Sequence, residues 1–155
     1  MIKKTLLLFT CFTALLSCNQ HSESHNFEVD GIYYKIVDED SRLAMVTYKG
    51  KDWDDYDNEY RDTILIPNTV TYRNKVYRIT EIGDYAFADC STLINVRMPM
   101  VEIIGEGAFS RYDTEAGAPT FNSIELPSTL KTIKDGAFLG CEGLGEIIIP
   151  ESVTS

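Results

Sequence analysis

The chain has 155 residues, enough for one domain, and its 24 acidic against 14 basic residues give a formal charge of −10. A surface of that sign, without a basic stripe, repels phosphate backbones and excludes nucleic acid as a partner. Both histidines, His21 and His25, precede Phe27, so the folded region lacks Ser-His-Asp or Cys-His nucleophilic machinery and the ligands of a His/Cys zinc site.

Lys3 and Lys4 open a segment whose apolar stretch, Thr5 to Leu16, is shorter than the roughly 20 residues a membrane span needs. Basic, apolar and small residues in that order read as a secretory signal. The segment closes on Leu15-Leu16-Ser17-Cys18, which resembles the bacterial lipoprotein signal, or lipobox. That resemblance implies removal of residues 1–17, a diacylglycerol on the Cys18 thiol and acylation of the new amino end, and Ser17 is small enough for the peptidase. More than one acyl chain makes such an anchor stable. Losing residues 1–17 takes Lys3 and Lys4 from the basic count and no acid, leaving a formal charge of −12. Direct headgroup binding is disfavoured by that charge, so the anchor is the expected membrane attachment. Residues 18–26 are polar and aperiodic and read as a tether carrying both histidines in solvent. Asn19 to Asn26 reach at most roughly 26–29 Å when extended, which keeps the folded part close to the bilayer.

Residues 27–63 read as an N-terminal β cap. Phe27-Glu28-Val29 and Ile32-Tyr33-Tyr34-Lys35-Ile36 alternate around Asp30-Gly31, a hairpin signal, and Met45 to Tyr48 reads as a further strand. Residues 64–155 read as a repeat array beginning at Ile64-Leu65-Ile66-Pro67, with Thr71 to Tyr77 as an extra hairpin. The phrase Ile82-Gly83-Asp84-Tyr85-Ala86-Phe87 returns as Ile104-Gly105-Glu106-Gly107-Ala108-Phe109 and as Ile133-Lys134-Asp135-Gly136-Ala137-Phe138. Each copy leads to an apolar tag ending in proline: Val96-Arg97-Met98-Pro99, Ile124-Glu125-Leu126-Pro127 and Ile147-Ile148-Ile149-Pro150. Phenylalanine spacings of 22 and 29 and proline spacings of 28 and 23 fit one unit of about 23 residues, with a deletion after Pro99 and an insertion at 110–120.

Self-similarity of this kind predicts a solenoid in which each unit buries its apolar face against its neighbours. Alternation in Ile124-Glu125-Leu126 predicts a short strand, and the following proline ends it for want of an N–H. Gly83 and Gly105 are expected to take positive φ at the turn, with Lys134 as the exception, and Ala-Phe to enter a short helical turn. Cys90 and Cys141 fall at equivalent positions two units apart. Two strand spacings of ~4.8 Å put them beyond the ~7 Å reach of a disulfide. Both read as small buried apolar residues.

The two complete copies, Ala86-Phe87 to Pro99 with Cys90 and Leu93, and Ala137-Phe138 to Pro150 with Cys141 and Leu144, resemble the BspA-type leucine-rich repeats of bacterial surface proteins over residues 64–155. The resemblance implies a right-handed solenoid, mainly β with short helical turns, in surface or secreted proteins tied to adhesion and host binding. It carries over no catalytic residue and no cofactor. The last unit stops at Val153-Thr154-Ser155, where the family next places Ile-Gly, so the array is expected to be incomplete at its C-terminus.

Three sets of residues are candidates for binding. Asp52-Trp53-Asp54-Asp55-Tyr56-Asp57-Asn58-Glu59-Tyr60 mixes carboxylates with the single tryptophan. Its spacing does not fit an EF-hand loop, and a solvated acidic loop is preferred to a calcium site. Trp53, Tyr56 and Tyr60 either pack on the cap or stack on a sugar or peptide. Leu65, Arg97, Glu125 and Ile148 lie between core positions of the unit strands and are expected to form one solvent-facing column. Arg111 and Tyr112 sit on the inserted loop, where an ordinary tolerated insertion competes with a binding role.

The function expected is a lipid-anchored, non-enzymatic protein- or glycan-binding or adhesion module. It would be a bacterial outer-membrane lipoprotein facing the cell surface or the periplasm, with no cofactor and no metal. A structural or accessory subunit of an envelope assembly is the alternative. A carboxylate-pair glycosidase is the one enzyme class the residue inventory leaves open.

Overall fold

Every second backbone N–H in the Ile-Gly-x-x-Ala-Phe phrase leaves its own unit. The N–H groups of Tyr85, Phe87 and Asp89 donate to the carbonyls of Glu106, Ala108 and Ser110 at 2.8, 2.7 and 2.9 Å. Those of Gly107, Phe109 and Arg111 repeat the pattern to Asp135, Ala137 and Leu139 at 3.1, 2.8 and 2.8 Å. The residues between them, such as Ala86 and Ala88, close turns onto the carbonyls of Gly83 and Tyr85. This sharing of donors corrects the expectation of short helical turns. An α-helix needs each successive N–H for the carbonyl four residues back. Here half are committed to the neighbouring unit, and no helix occurs among the described residues.

The computed structural model describes residues 24–55, 60–112 and 121–155. The segment that resembles a lipobox, with Cys18, the expected tether as far as residue 23, and Tyr56 lie outside them. Ten strands are present among the described residues: β1 (Phe27–Val29), β2 (Ile32–Asp38), β3 (Leu43–Thr47), β4 (Asp62–Leu65), β5 (Thr69–Tyr72), β6 (Lys75–Ile82), β7 (Leu93–Arg97), β8 (Ile103–Ile104), β9 (Ser123–Glu125) and β10 (Thr132–Ile133). β1, β2 and β3 form an antiparallel meander, and β3, β6, β8 and β10 continue it as parallel neighbours. β4, β7 and β9 make a second, wholly parallel sheet. Each unit thus contributes one strand to each sheet, joined by a turn that stacks on the equivalent turn of the next unit.

Local chemistry explains the hairpins. Asp30 and Gly31 take φ of 52° and 77°, the left-handed pair that turns β1 into β2. Arg73 and Asn74, at 48° and 61°, do the same between β5 and β6, where the extra hairpin is predicted. Residues 24–26, read from the sequence as the end of a tether, are bonded to the fold. Ser24 donates to the carbonyls of Gly50 and Tyr48, Asn26 bonds Tyr34 and Ile36, and His25 meets Tyr33 edge-on with ring centroids 4.9 Å apart.

The core is built around a column of rings. Phe87 and Phe109 stack with centroids 5.1 Å apart, and Phe109 and Phe138 follow at 5.3 Å with parallel planes. Phe121 adds a third neighbour to Phe109 at 5.4 Å. Tyr60 occupies the slot before Phe87, with centroids 4.6 Å apart. Leu93, Val96, Met98, Val101, Ile104 and Leu130 fill the space between the sheets and are all essentially buried.

The glycines correct a second expectation. Neither Gly83 nor Gly105 has positive φ. A side chain at Gly83 would place Cβ 2.9 Å from the Val46 carbonyl, and one at Gly105 would place it 2.5 Å from the Asp84 nitrogen. Close approach of one unit to the next demands these glycines. The left-handed position falls two residues later, at Tyr85 (φ 56°), Gly107 (55°) and Gly136 (62°).

Cys90 is buried and Cys141 half-buried, and neither is in a disulfide. The Cys141 thiol donates to the Phe109 carbonyl, and burial pushes its pKa up to about 11 against a smaller opposing pull from Arg111.

Candidate functional site

Two surfaces collect the predicted residues that remain exposed. The first is the outer face of the β4-β7-β9 sheet. Strand pairing puts Leu65 opposite Arg97 and Arg97 opposite Glu125, so the three stand in one row across the sheet. Period-two alternation explains the row, since Val96 and Met98 point into the core while Arg97 points out. Leu65 is 64% exposed, a large apolar side chain left in water beside a cation and an anion. An open groove of about 530 Å³ follows the row, walled by Leu65, Arg97, Pro99, Glu125, Pro127 and Ser128. A second groove of about 420 Å³ continues it between Glu125, Ser128, Glu146, Ile148 and Pro150. Ile148 extends the row by sequence and is 80% exposed, but residues 144–149 form no strand. Ile149 accordingly is 60% exposed, whereas its counterparts Met98 and Leu126 are buried.

The second surface lies on the stacked turns. Trp53 comes from the β3–β4 connection, where Asp55 Oδ2 accepts the N–H groups of Lys51 and Asp52 and shapes the turn. Those two bonds hold the Asp55 carboxyl below its usual range. The Trp53 ring stacks on Tyr85 with centroids 5.5 Å apart and tilts against Tyr112 at 5.5 Å. Tyr85 is fixed from three sides. Its hydroxyl donates to Glu106 Oε1 at 3.0 Å, and its ring covers Gly107, where an added Cβ would fall 2.4 Å from Tyr85 Cε1. Trp53 closes the third side. The Tyr112 N–H donates to Asp89 Oδ1 at 2.7 Å, and its side chain is about half exposed.

Carboxylates surround these rings. The hydrogen bond to Glu106 raises the Tyr85 hydroxyl pKa, with burial and the charges of Glu106 and Asp84 adding to it. Tyr48 is raised by burial first and then by Asp52, Asp55, Asp84 and Asp54. Asp84 accepts the Glu106 N–H at 2.8 Å and pairs with Lys134 at 3.1 Å. No group of three His, Cys, Asp or Glu among the described residues is arranged to hold a metal ion.

Sequence reasoning and structure part company over two tyrosines. Tyr60, a predicted surface candidate, is 1% exposed and belongs to the core. Its hydroxyl donates to the Thr47 carbonyl at 2.5 Å and accepts the Tyr33 N–H at 3.0 Å, so it is committed both as donor and as acceptor. Tyr85, which the sequence reading passed over, belongs to the aromatic patch as the stacking partner of Trp53. Its signal lay in the copies, since Tyr85 stands where the other two have Gly107 and Gly136. Arg111 is half-buried beside Cys141, with its N–H on the Leu139 carbonyl.

Residues 116–155 match the BspA type Leucine rich repeat region, a family with 6 copies of its unit. A leucine-rich repeat protein from Bacteroides capillosus ATCC 29799 superposes with a TM-score of 0.64 at 28% identity, covering 82% of this chain and 83% of that one. A leucine-rich repeat protein from Bacteroides ovatus ATCC 8483 is 29% identical with a TM-score of 0.55, covering 84% of this chain and 37% of that one. The T. pallidum leucine-rich repeat protein shares the fold with a TM-score of 0.61 at 23% identity, and this chain spans 51% of its length. No curated protein matches the sequence significantly.

Proposed function

The chain carries BspA-type leucine-rich repeats, and from that premise we propose that it is a non-enzymatic protein-binding or adhesion module held at a bacterial cell envelope by a lipid on Cys18. In this reading residues 64–155 are a solenoid capped by residues 27–63, and the outer face of the β4-β7-β9 sheet takes the ligand. One observation carries the assignment. Leu65, Arg97 and Glu125 stand in register across three strands beside an open groove of about 530 Å³. An apolar side chain, a guanidinium and a carboxylate in one row offer a peptide both burial and charge-assisted hydrogen bonds. The repeat backbone fixes their spacing, and their identities differ from unit to unit, as selective recognition requires.

Immobilised extracellular-matrix proteins and glycans, probed with the full chain and with the double variant Leu65→Ser/Arg97→Glu, test the face. The expected result is a protein ligand whose binding falls at least about tenfold in the double variant. Binding that ignores both substitutions, or a survey without any binder, sinks the proposal. The anchor has its own test: Cys18→Ala should move the protein from the membrane fraction to the soluble one, and unchanged retention would refute lipidation.

A further inference from the structure

The patch of Trp53, Tyr85 and Tyr112 lies on the stacked turns rather than on the sheet, and three features set it apart from ordinary surface aromatics. Its rings come from the β3–β4 connection and from the turns of two successive units, and Trp53 meets both of the others at 5.5 Å. The Tyr85 ring is clamped by Glu106, Trp53 and the bare face of Gly107. Most tellingly, Tyr85 holds φ at 56°, where the sibling copies use glycine. A non-glycine residue costs roughly 1 kcal/mol in that conformation, so the ring is kept at a position the backbone would rather give to glycine.

Charge decides what the patch suits. Asp52, Asp54 and Asp55 flank Trp53 in sequence, while Asp84 and Glu106 flank Tyr85. Against them stand Lys51 on the same turn, Arg111 next to Tyr112, and Lys134, whose charge is shared with Asp84. Acids therefore outnumber bases around the rings, in a chain whose formal charge is −10. Aromatic faces carry a negative quadrupole and attract ammonium and guanidinium groups, with tryptophan the strongest. The carboxylates add long-range attraction of the same sign.

We propose that the Trp53–Tyr85–Tyr112 patch is a docking site for a basic segment of a partner protein, which seats a lysine or arginine side chain over the rings with Glu106 and the Asp52–Asp55 turn as its counter-charges. This site is separate from the sheet face and does not depend on it.

Trp53 is the only tryptophan, so its fluorescence reports on the patch alone. The full chain is titrated with decalysine, decaglutamate and a neutral β-glucan hexasaccharide at low and at moderate salt. The expected result is a saturable Trp53 response to decalysine that weakens with salt, and none to the other two. Tyr85→Gly installs the residue the sibling copies carry, so the fold is kept while the ring stacked on Trp53 is lost. It should weaken decalysine binding roughly five- to tenfold, and Tyr112→Ala should act in the same direction. Leu65→Ser/Arg97→Glu should leave decalysine binding within about twofold, which separates this site from the sheet face. A response to the hexasaccharide instead would make the patch a glycan platform. A decalysine response unchanged by Tyr85→Gly would reduce it to unspecific attraction by an acidic surface. Either outcome, or no response at all, overturns the proposal.

Discussion

Gly105 offers the sharpest test of how the units fit together. Its missing Cβ points at the preceding unit, where an added carbon would stand 2.5 Å from Asp84 N and 2.6 Å from Gly83 C. Both neighbours are backbone atoms and cannot swing aside as a side-chain tip would. Restoring ordinary contact needs the two units to part by about 1 Å. Three of the hydrogen bonds that cross the joint lie beside Gly105: Gly105 N–H to Ile82 O, Tyr85 N–H to Glu106 O, and Glu106 N–H to Asp84 Oδ1, each 2.8 Å. A parting of that size takes them past the distance at which a hydrogen bond survives. Each lost bond costs about 1 kcal/mol, and residual overpacking adds about 1–3 kcal/mol. Gly105→Ala should therefore destabilise by roughly 4–6 kcal/mol, a large part of the about 5–15 kcal/mol that a domain possesses.

Thermal unfolding of the full chain, followed by circular dichroism, should show a fall in Tm of roughly 10 °C or more. Gly145→Ala is the control, because nothing lies within 4 Å of its added Cβ and its φ is not left-handed. It should be neutral or slightly stabilising, since alanine restricts the unfolded chain. Gly105→Asn separates crowding from conformation. Asparagine tolerates left-handed φ and would be milder than alanine if φ were the constraint, whereas under crowding it is at least as harmful. A Tm for Gly105→Ala within about 2 °C of the parent, or an Asn variant clearly milder than Ala, would refute the close-approach argument.

Three further outcomes follow from named contacts. Phe109 touches Phe87, Phe121 and Phe138 and is 3% exposed, so Phe109→Ala should cost about 3–5 kcal/mol in urea unfolding, and Phe138→Ala, half-buried at the end of the column, distinctly less. Burial pushes the Glu81 carboxyl above its ordinary 4.5, against a smaller opposing pull from Lys134. Folding thus favours its protonated form, and its stabilising contribution is present at low pH and lost as pH rises through the raised value. Glu81→Gln should raise Tm at pH 7 and change it little near pH 4, and an equal effect at both would exclude the desolvation account. The Cys141 thiol, with a pKa near 11, should alkylate at pH 8 some hundredfold more slowly in the native chain than in urea, as read by mass spectrometry.

The array was legible wherever a unit kept its length. From Phe87 to Pro99 and from Phe138 to Pro150 the spacing is 12 residues, and the structure puts both phenylalanines in one column with Phe109, although only the first of these units completes its strand. From Tyr60 to Pro67 it is 7, and the shortening hid the fact that Tyr60 fills the phenylalanine slot of its unit. Its neighbours Asp57 and Glu59 pointed to a solvated loop, but a ring tilted against Phe87 whose hydroxyl both donates and accepts a hydrogen bond gains more from burial than from water. The glycines failed for a different reason. A glycine in a turn serves either φ or close approach, and a single chain does not say which until the adjacent backbone is in view.

That distinction gives Tyr85 its meaning. Positions 83 and 105 are dictated by the neighbouring unit's backbone, so their glycines report on stacking alone. The left-handed position two residues later is dictated only by its own φ, and Gly107 and Gly136 meet the requirement without cost. Tyr85 meets it at a cost, and its side chain recovers part of that through Glu106 and the contact with Trp53. Stacking needs neither of these contacts, because the donors that bind one unit to the next are main-chain groups present at every copy. A ring held against local backbone preference, over a glycine that leaves room for it, and stacked on Trp53, is best explained by what it can bind. Replacing it with the glycine of its siblings should therefore leave the fold intact and remove the recognition.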